Sequence, residues 1–397
     1  MISDGPGGGL PRGLIPLLST GNFVIGVGGF LVIGALAPMA RDLGLSAAQA
    51  GWIMTTYALA YAVLSPLLVA VTGGMGRRRV LVLGMALFAL GALGSAVAPS
   101  VEMLFAARMI AAAGAGMTTP VAAAVASALA PPEQRGRVLA HVFLGLTLAG
   151  VLGVPLGSWV AYTFGWRVAF GGVAVAAGLM TMVLWRRVPV GLRFQPVRLG
   201  DLGRMLMNGR HMLAISFTAL FLGAIYVPYT YIAPLLEDRM ALGRDGVTVA
   251  LIICGIGAVA GNLLGGSLSD RMGAFRTLLY LACAQVVLMP LLSLLPVPLT
   301  AAIVLLLIWN ASGFAFNSSQ QSRLVTLTGT QAPVALALNA AAIYVGAAIG
   351  GAIGSGVIAQ AGLGALGLAG GLCAVCAIVG LVWSQRLSPV DTDPARP

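Results

Sequence analysis

The tightest constraint on this chain is that twelve separate stretches are each apolar for long enough to cross a lipid bilayer as a helix. They lie near 14–39, 48–71, 80–98, 101–128, 138–163, 167–185, 212–236, 247–268, 276–295, 298–318, 333–360 and 363–384. A crossing needs about 20 apolar residues. Charged residues make up 8% and hydrophobic residues 59% of the 397 positions, whereas a soluble domain carries roughly 25% charged residues. So few charges cannot cover a water-facing surface. The runs are continuous rather than alternating, which predicts helices and not barrel strands. The first run is too long for a cleaved leader, and no small-residue cleavage site follows it.

All 22 basic residues are arginine. Seventeen of them, including Arg77–Arg79, Arg135, Arg137, Arg186, Arg187 and Arg323, fall in one set of tails and loops. Arg41, Arg167, Arg239 and Arg244 fall in the opposite set, and Arg108 lies within a span. The positive-inside rule therefore predicts cytoplasmic termini, and a plasma membrane of bacterial type is the expected location. The same scatter accounts for the net charge of +11. It speaks against a nucleic-acid partner, which calls for one basic stripe with interleaved aromatics. Without lysine there is no Walker A loop, and neither HExxH nor GxSxG occurs. Cys373 and Cys376 form a C-x-x-C inside an apolar stretch, where packing is the expected role. No enzyme activity, metal or cofactor is expected. The expected partners are a small-molecule substrate and the lipid bilayer, with the protein a monomer.

The chain also repeats itself. Ala37-Pro38 and Asp42 match Ala233-Pro234 and Asp238; Gly76 and Arg79 match Gly273 and Arg276; Gly153, Gly157, Ser158, Val160 and Gly165 match Gly350, Gly354, Ser355, Val357 and Gly362. Every pair is 196 or 197 residues apart. The expected class is thus all-α integral membrane, with twelve transmembrane helices in two pseudo-symmetric six-helix bundles. Residues 1–186 form the first bundle, 187–210 a cytoplasmic linker and 211–397 the second bundle. Parallel repeats of this kind place a transporter's substrate site at the midplane between them.

Three motifs stand out. Gly266-Ser-Leu-Ser-Asp270-Arg271-Met-Gly273-Ala-Phe-Arg276 joins the eighth and ninth stretches. Asp270 at a helix C-terminus opposes the macrodipole and calls for Arg271, Arg276 or a neighbouring helix N-terminus. It serves as a conformational gate or as a fixed loop clamp. The first-half counterpart has Gly73 where the acid would stand. Gly145-Leu-Thr-Leu-Ala-Gly150-Val-Leu-Gly153-Val-Pro155-Leu-Gly157 occupies the fifth stretch; its small residues permit close helix approach, and Pro155 bends the helix. Arg108, followed by Gly114 and Gly116, sits inside the fourth stretch, where an arginine costs about 2.5–3.5 kcal/mol. It either faces a polar cavity or snorkels to the interface.

Together with Gly165-Trp166-Arg167 and Tyr229-Thr230-Tyr231, these motifs resemble the major facilitator superfamily, and within it the twelve-helix drug–proton antiporters of the arabinose-efflux-like branch. The resemblance implies export of a drug-like, sugar or nucleoside-type solute by alternating access, with protons as coupling ion. It implies a cavity lined by the first, fourth, seventh and tenth helices. That branch often carries a glutamate in the first helix and a histidine in the fourth; here Gly29 and Ala115–Gly116 stand there. The candidate substrate-binding residues are Asn22, Arg108, Tyr226, Tyr229, Asn310, Phe314, Asn317 and Asn339, with Thr118, Thr119, Thr230 and Tyr344 as further polar candidates. For any single Asn or Thr among them, interhelical hydrogen bonding is the competing explanation. The gating candidates are Gly153, Pro155, Gly157, Gly266, Asp270, Arg271, Gly273 and Arg276. Asp42 and His141 are the candidates for proton coupling. Uptake or facilitated diffusion is the alternative, and a membrane-embedded sensor or enzyme the more distant one.

Overall fold

The computed structural model describes residues 13–131, 134–191 and 199–387. Arg12, Arg193, Arg198 and Arg396 of the basic set, and 192–198 of the linker, lie outside them. Twelve helices long and apolar enough to span a membrane are present: α1 (Leu14–Asp42), α2 (Ala47–Gly74), α3 (Arg77–Ala96), α4 (Val101–Leu129), α5 (Arg137–Phe164), α6 (Trp166–Arg187), α7 (Gly209–Met240), α8 (Arg244–Met272), α9 (Ala274–Leu294), α10 (Leu299–Thr328), α11 (Val334–Ala361) and α12 (Leu363–Leu387). No strand occurs among the described residues. In hydrocarbon every backbone polar group needs an internal partner, and a helix supplies it within one segment.

Many of the helices overrun the apolar stretches, because polar ends continue the backbone ladder into the interface. Arg323 shows this best. Expected in a loop, it lies inside α10 and is buried, donating to Ser384 Oγ of α12 at 2.9 Å. A short helix absent from the expected set, Leu199–Met207, precedes α7. Two spans are broken: α7 at Thr230–Tyr231, just after Pro228 and two-thirds of the way along, and α10 at Ala315, near its middle.

Glycines set the closest helix contacts. Within α5, a methyl on Gly145 would strike the Ser19 carbonyl of α1, and Gly153 and Gly157 face Val27 and Leu31 of the same helix. Within α11, Gly350 and Gly354 press in the same way on Gly223, Tyr226, Val227 and Tyr231 of α7. The expected small-residue repeat therefore builds one helix pair twice. Pro155, which lacks an N–H, follows a π-turn over Ala149–Gly153, where the Val154 amide reaches back to the Ala149 carbonyl; a π-bulge absorbs the bond that proline deletes.

The buried core is not uniform along the membrane normal. One apolar cluster joins the ends of α1 and α2 around Leu36, Met39 and Ile53 to α7 and α8 through Ile232, Leu235 and Leu251. This is the end away from the arginine-rich loops. Nearer the arginine-rich end, α1 to α6 form a separate cluster around Leu18, Val80, Val125 and Leu184. Tyr344 of α11 packs against both clusters.

Candidate functional site

Arg108 is fully buried, at 1% exposure. Its Nη1 donates to the Gly28 carbonyl at 2.7 Å and its Nη2 to the Gly29 carbonyl at 3.0 Å. The guanidinium lies over the ring of Tyr57 at 4.2 Å and that of Phe170 at 5.5 Å. Only Nε lacks a partner among the described residues. Arg108 therefore does not snorkel; it forks onto α1 at a glycine pair that leaves the carbonyls accessible. Charge-assisted hydrogen bonds and a desolvated cation–π contact together offset its insertion cost.

Across the molecule, Tyr226 and Tyr229 of α7 and Phe314 of α10 form one aromatic cluster, joined through Tyr229. Tyr229 lies 5.8 Å from Tyr226 and 6.3 Å from Phe314. Trp309, which sequence reasoning did not single out, completes the cluster at 6.1 Å from Tyr229. Asn310 is buried beside it; its Nδ2 donates to Leu306 O of its own helix, while Oδ1 has no partner among the described residues. Asn317 is half-buried beyond the α10 break, away from that run of helix. Tyr344 stacks on Tyr61 of α2, with centroids 3.6 Å apart, and meets Tyr57 edge-on at 6.4 Å. The i, i+4 spacing of Tyr57 and Tyr61 was the available signal for this pair, overlooked among other aromatics.

Asn22 and Asn339 hold helices together. Asn22 donates to Val142 O of α5 at 3.0 Å, and Asn339 accepts from Thr218 Oγ1 of α7 at 2.6 Å. These two clasps occupy equivalent places in the repeat, since 22 and 218, and 142 and 339, differ by the same 196 or 197 residues. Thr118 bonds back to Gly114 of its own helix, and Thr119 Oγ1 and Thr230 Oγ1 are buried without partners among the described residues.

The coupling candidates lie at helix ends. Asp42 pairs with Arg167 and accepts from Trp166 Nε1 at 3.1 Å, while Arg167 also donates to Ala98 O at 3.2 Å. His141 is exposed, with Nδ1 2.7 Å from Arg137 O. Among the described residues, no acid lies near the middle of a span.

Away from the arginine-rich end, the first six helices are tied to the last six. Arg41 of α1 pairs with Glu237 of α7 at 3.2 Å, Arg244 of α8 donates to Thr163 of α5 at 3.3 Å, and Ser355 of α11 donates to Ala48 O of α2 at 2.9 Å. At the opposite face, Asp270, Arg271 and Arg276 are exposed and form no ion pair among the described residues. Gly266 has open space around it, and Gly273 ends α8 at φ +81°.

The family model described as Major Facilitator Superfamily matches residues 18–333. The chain belongs to the Major Facilitator Superfamily. This superfamily member is 31% identical to the Inner membrane transport protein YdhP of Escherichia coli K12, across 87% of this chain and 89% of that protein. It is also 31% identical to a Chloramphenicol resistance protein of Streptomyces lividans, across 91% and 94%. Among solved structures, it matches a bacterial homolog of the human lysosomal transporter Spinster with a TM-score of 0.68, at 16% identity over 94% of this chain and 95% of that one. At that identity the likeness concerns the fold. Transport, with a multi-pass membrane location, is thus the general activity.

Proposed function

We propose that this transporter exports an uncharged, aromatic and hydrogen-bonding organic solute from the cytoplasm by alternating access. Its arginine-rich end and both termini face the cytoplasm. The observation that carries this reading is the contrast between the two ends: a shared core and three polar ties at one, and at the other separate clusters with an Asp270 loop that forms no ion pair among the described residues. A bundle whose polar ties and shared core lie at one end suits a conformation open to the side that collects export substrate.

The substrate class rests on the buried aromatic cluster of α7 and α10. Tyr226, Tyr229, Trp309 and Phe314 present aromatic surface, and Trp309 Nε1, Asn310 Oδ1 and Thr230 Oγ1 are buried polar atoms without protein partners among the described residues. Such groups are costly unless a ligand or water bonds them. Chloramphenicol has this chemistry, and the Streptomyces lividans relative is a resistance protein to it. The resemblance to drug–proton antiporters supports coupling to protons. The helix-end positions of the described acids favour a second reading, uncoupled flux, which the same experiment separates. Proteoliposomes loaded with chloramphenicol should show saturable flux, and an imposed pH gradient should drive accumulation if protons are exchanged. Equal steady-state levels with and without the gradient would establish the uncoupled reading. No saturable flux of chloramphenicol, sugars or nucleosides would overturn the export assignment.

The tie at Arg41 offers a separate test of the closed end. A partly exposed ion pair contributes up to about 1 kcal/mol, so Arg41→Ala should raise the population open at that end by up to roughly fivefold. A cysteine at Thr55, buried between α2 and α11, would report it in a background with the four native cysteines changed to serine. Its labelling by an impermeant maleimide, added from the Arg41 side, should accelerate by that factor. An unchanged rate would mean that the pair does not restrain opening.

A further inference from the structure

At the arginine-rich end, the short helix Leu199–Met207 and the first turn of α7 face the last turns of α12 across an open cleft of about 880 Å³. Arg204, Met207, Asn208 and Arg210 line one side; Trp383 and Leu387 line the other. The short helix is anchored by Met205, buried with Ala214 and Ile215 of α7 and Leu324 of α10. Its neighbour Met207 points the other way and is 89% exposed. So bare an apolar side chain next to arginines is poorly placed in water but well placed at the boundary of headgroups and acyl chains. Trp383, exposed near the end of a span, belongs to the same level, because indole rings settle in the headgroup region.

Among the described residues, the charged groups that line this cleft are arginines. Arg204 and Arg210 stand at the α7 N-terminus, whose first-turn amides add the positive end of the helix dipole. Arg323 of α10 lies against α12 and does not itself line the cleft. It is 5% exposed, it bonds Ser384 next to Trp383, and its Nε and Nη1 have no partner among the described residues. A free phosphate would be served by the cations alone and would leave Met207, Trp383 and Leu387 unexplained.

We propose that this cleft binds the phosphate of an anionic phospholipid headgroup, with the acyl chains running between Met207 and Trp383. The short helix belongs to the connection between α6 and α7, so a bound lipid would hold that connection at the membrane surface.

Native mass spectrometry of the full chain, with phosphatidylglycerol or phosphatidylcholine added, tests this. Phosphatidylglycerol should be retained preferentially, and Arg204→Gln with Arg210→Gln should weaken it by up to roughly thirtyfold, as expected for removing two surface cations. Arg186→Gln with Arg187→Gln, at the exposed end of α6, should leave it unchanged. Equal retention of the two lipids would overturn the proposal, as would an equal loss in the α6 pair. Inorganic phosphate binding as tightly as the lipid would overturn it in favour of a free anion. Should the double variant fail to fold, brominated phosphatidylglycerol decides instead: it should quench Trp383 in the unaltered protein relative to Trp383→Phe, and no difference would sink the site.

Discussion

Arg108→Ala is expected to lower the maximal rate of solute flux by about tenfold or more, the scale of losing charge-assisted hydrogen bonds worth about 1.5–3 kcal/mol each. The KM should change little. The guanidinium is occupied on both Nη atoms by the Gly28 and Gly29 carbonyls and covered by Tyr57 and Phe170. In this conformation it braces α1 more than it reaches a ligand. Two consecutive glycines make that part of α1 easy to deform, and the fork from α4 ties the two helices to move as one body. Arg108→Lys should be intermediate, because an ammonium cannot span two carbonyls in the planar fork of a guanidinium. Initial rates in proteoliposomes at matched protein, read beside melting temperatures in detergent, separate a loss of fold from a loss of turnover. A rise in KM with an unchanged maximal rate would place Arg108 against the substrate and refute the brace.

Gly145→Ala should be the most damaging single methyl in α5. The added carbon meets the Ser19 carbonyl and the Phe23 amide of α1, which are backbone and cannot rotate away. Separating two packed helices to admit it costs about 1–3 kcal/mol or more, so the ratio of folded to unfolded protein should fall by about tenfold or more, and the yield with it where stability is marginal. Gly153→Ala presses on the Val27 side chain and should cost less, and Gly150→Ala enters open space and should be neutral. Monodisperse yield by size exclusion, followed by flux per folded molecule, gives the order. If Gly150→Ala and Gly145→Ala behave alike, helix approach is not what these glycines provide.

The twelve spans were legible because they follow from the solvent: an apolar run of sufficient length needs no particular neighbour to be a helix in lipid. The α5 glycines were legible for a related reason, since spacing along one helix already defines a face. Partners were not legible. Asn22 and Asn339 fit a cavity or an interhelical bond equally well until Val142 and Thr218 are seen beside them. Arg108 carried a clear sign of burial, but nothing in α4 indicated that its acceptors are main-chain carbonyls of α1. Arg323 reads as a loop residue because hydropathy alone ends the span early, whereas the end of α10 is polar yet helical.

Arg41 and Glu237 stand at equivalent positions in the two repeats, 196 residues apart, and touch one another across the junction. In an ancestor with two identical copies this spot would have faced itself, and any charge there would have met its own sign. Opposite charges became tolerable only once the copies were encoded separately. The present halves have therefore lost interchangeability: a molecule assembled from two leading halves would bring two guanidinium groups together at the point where this one is fastened.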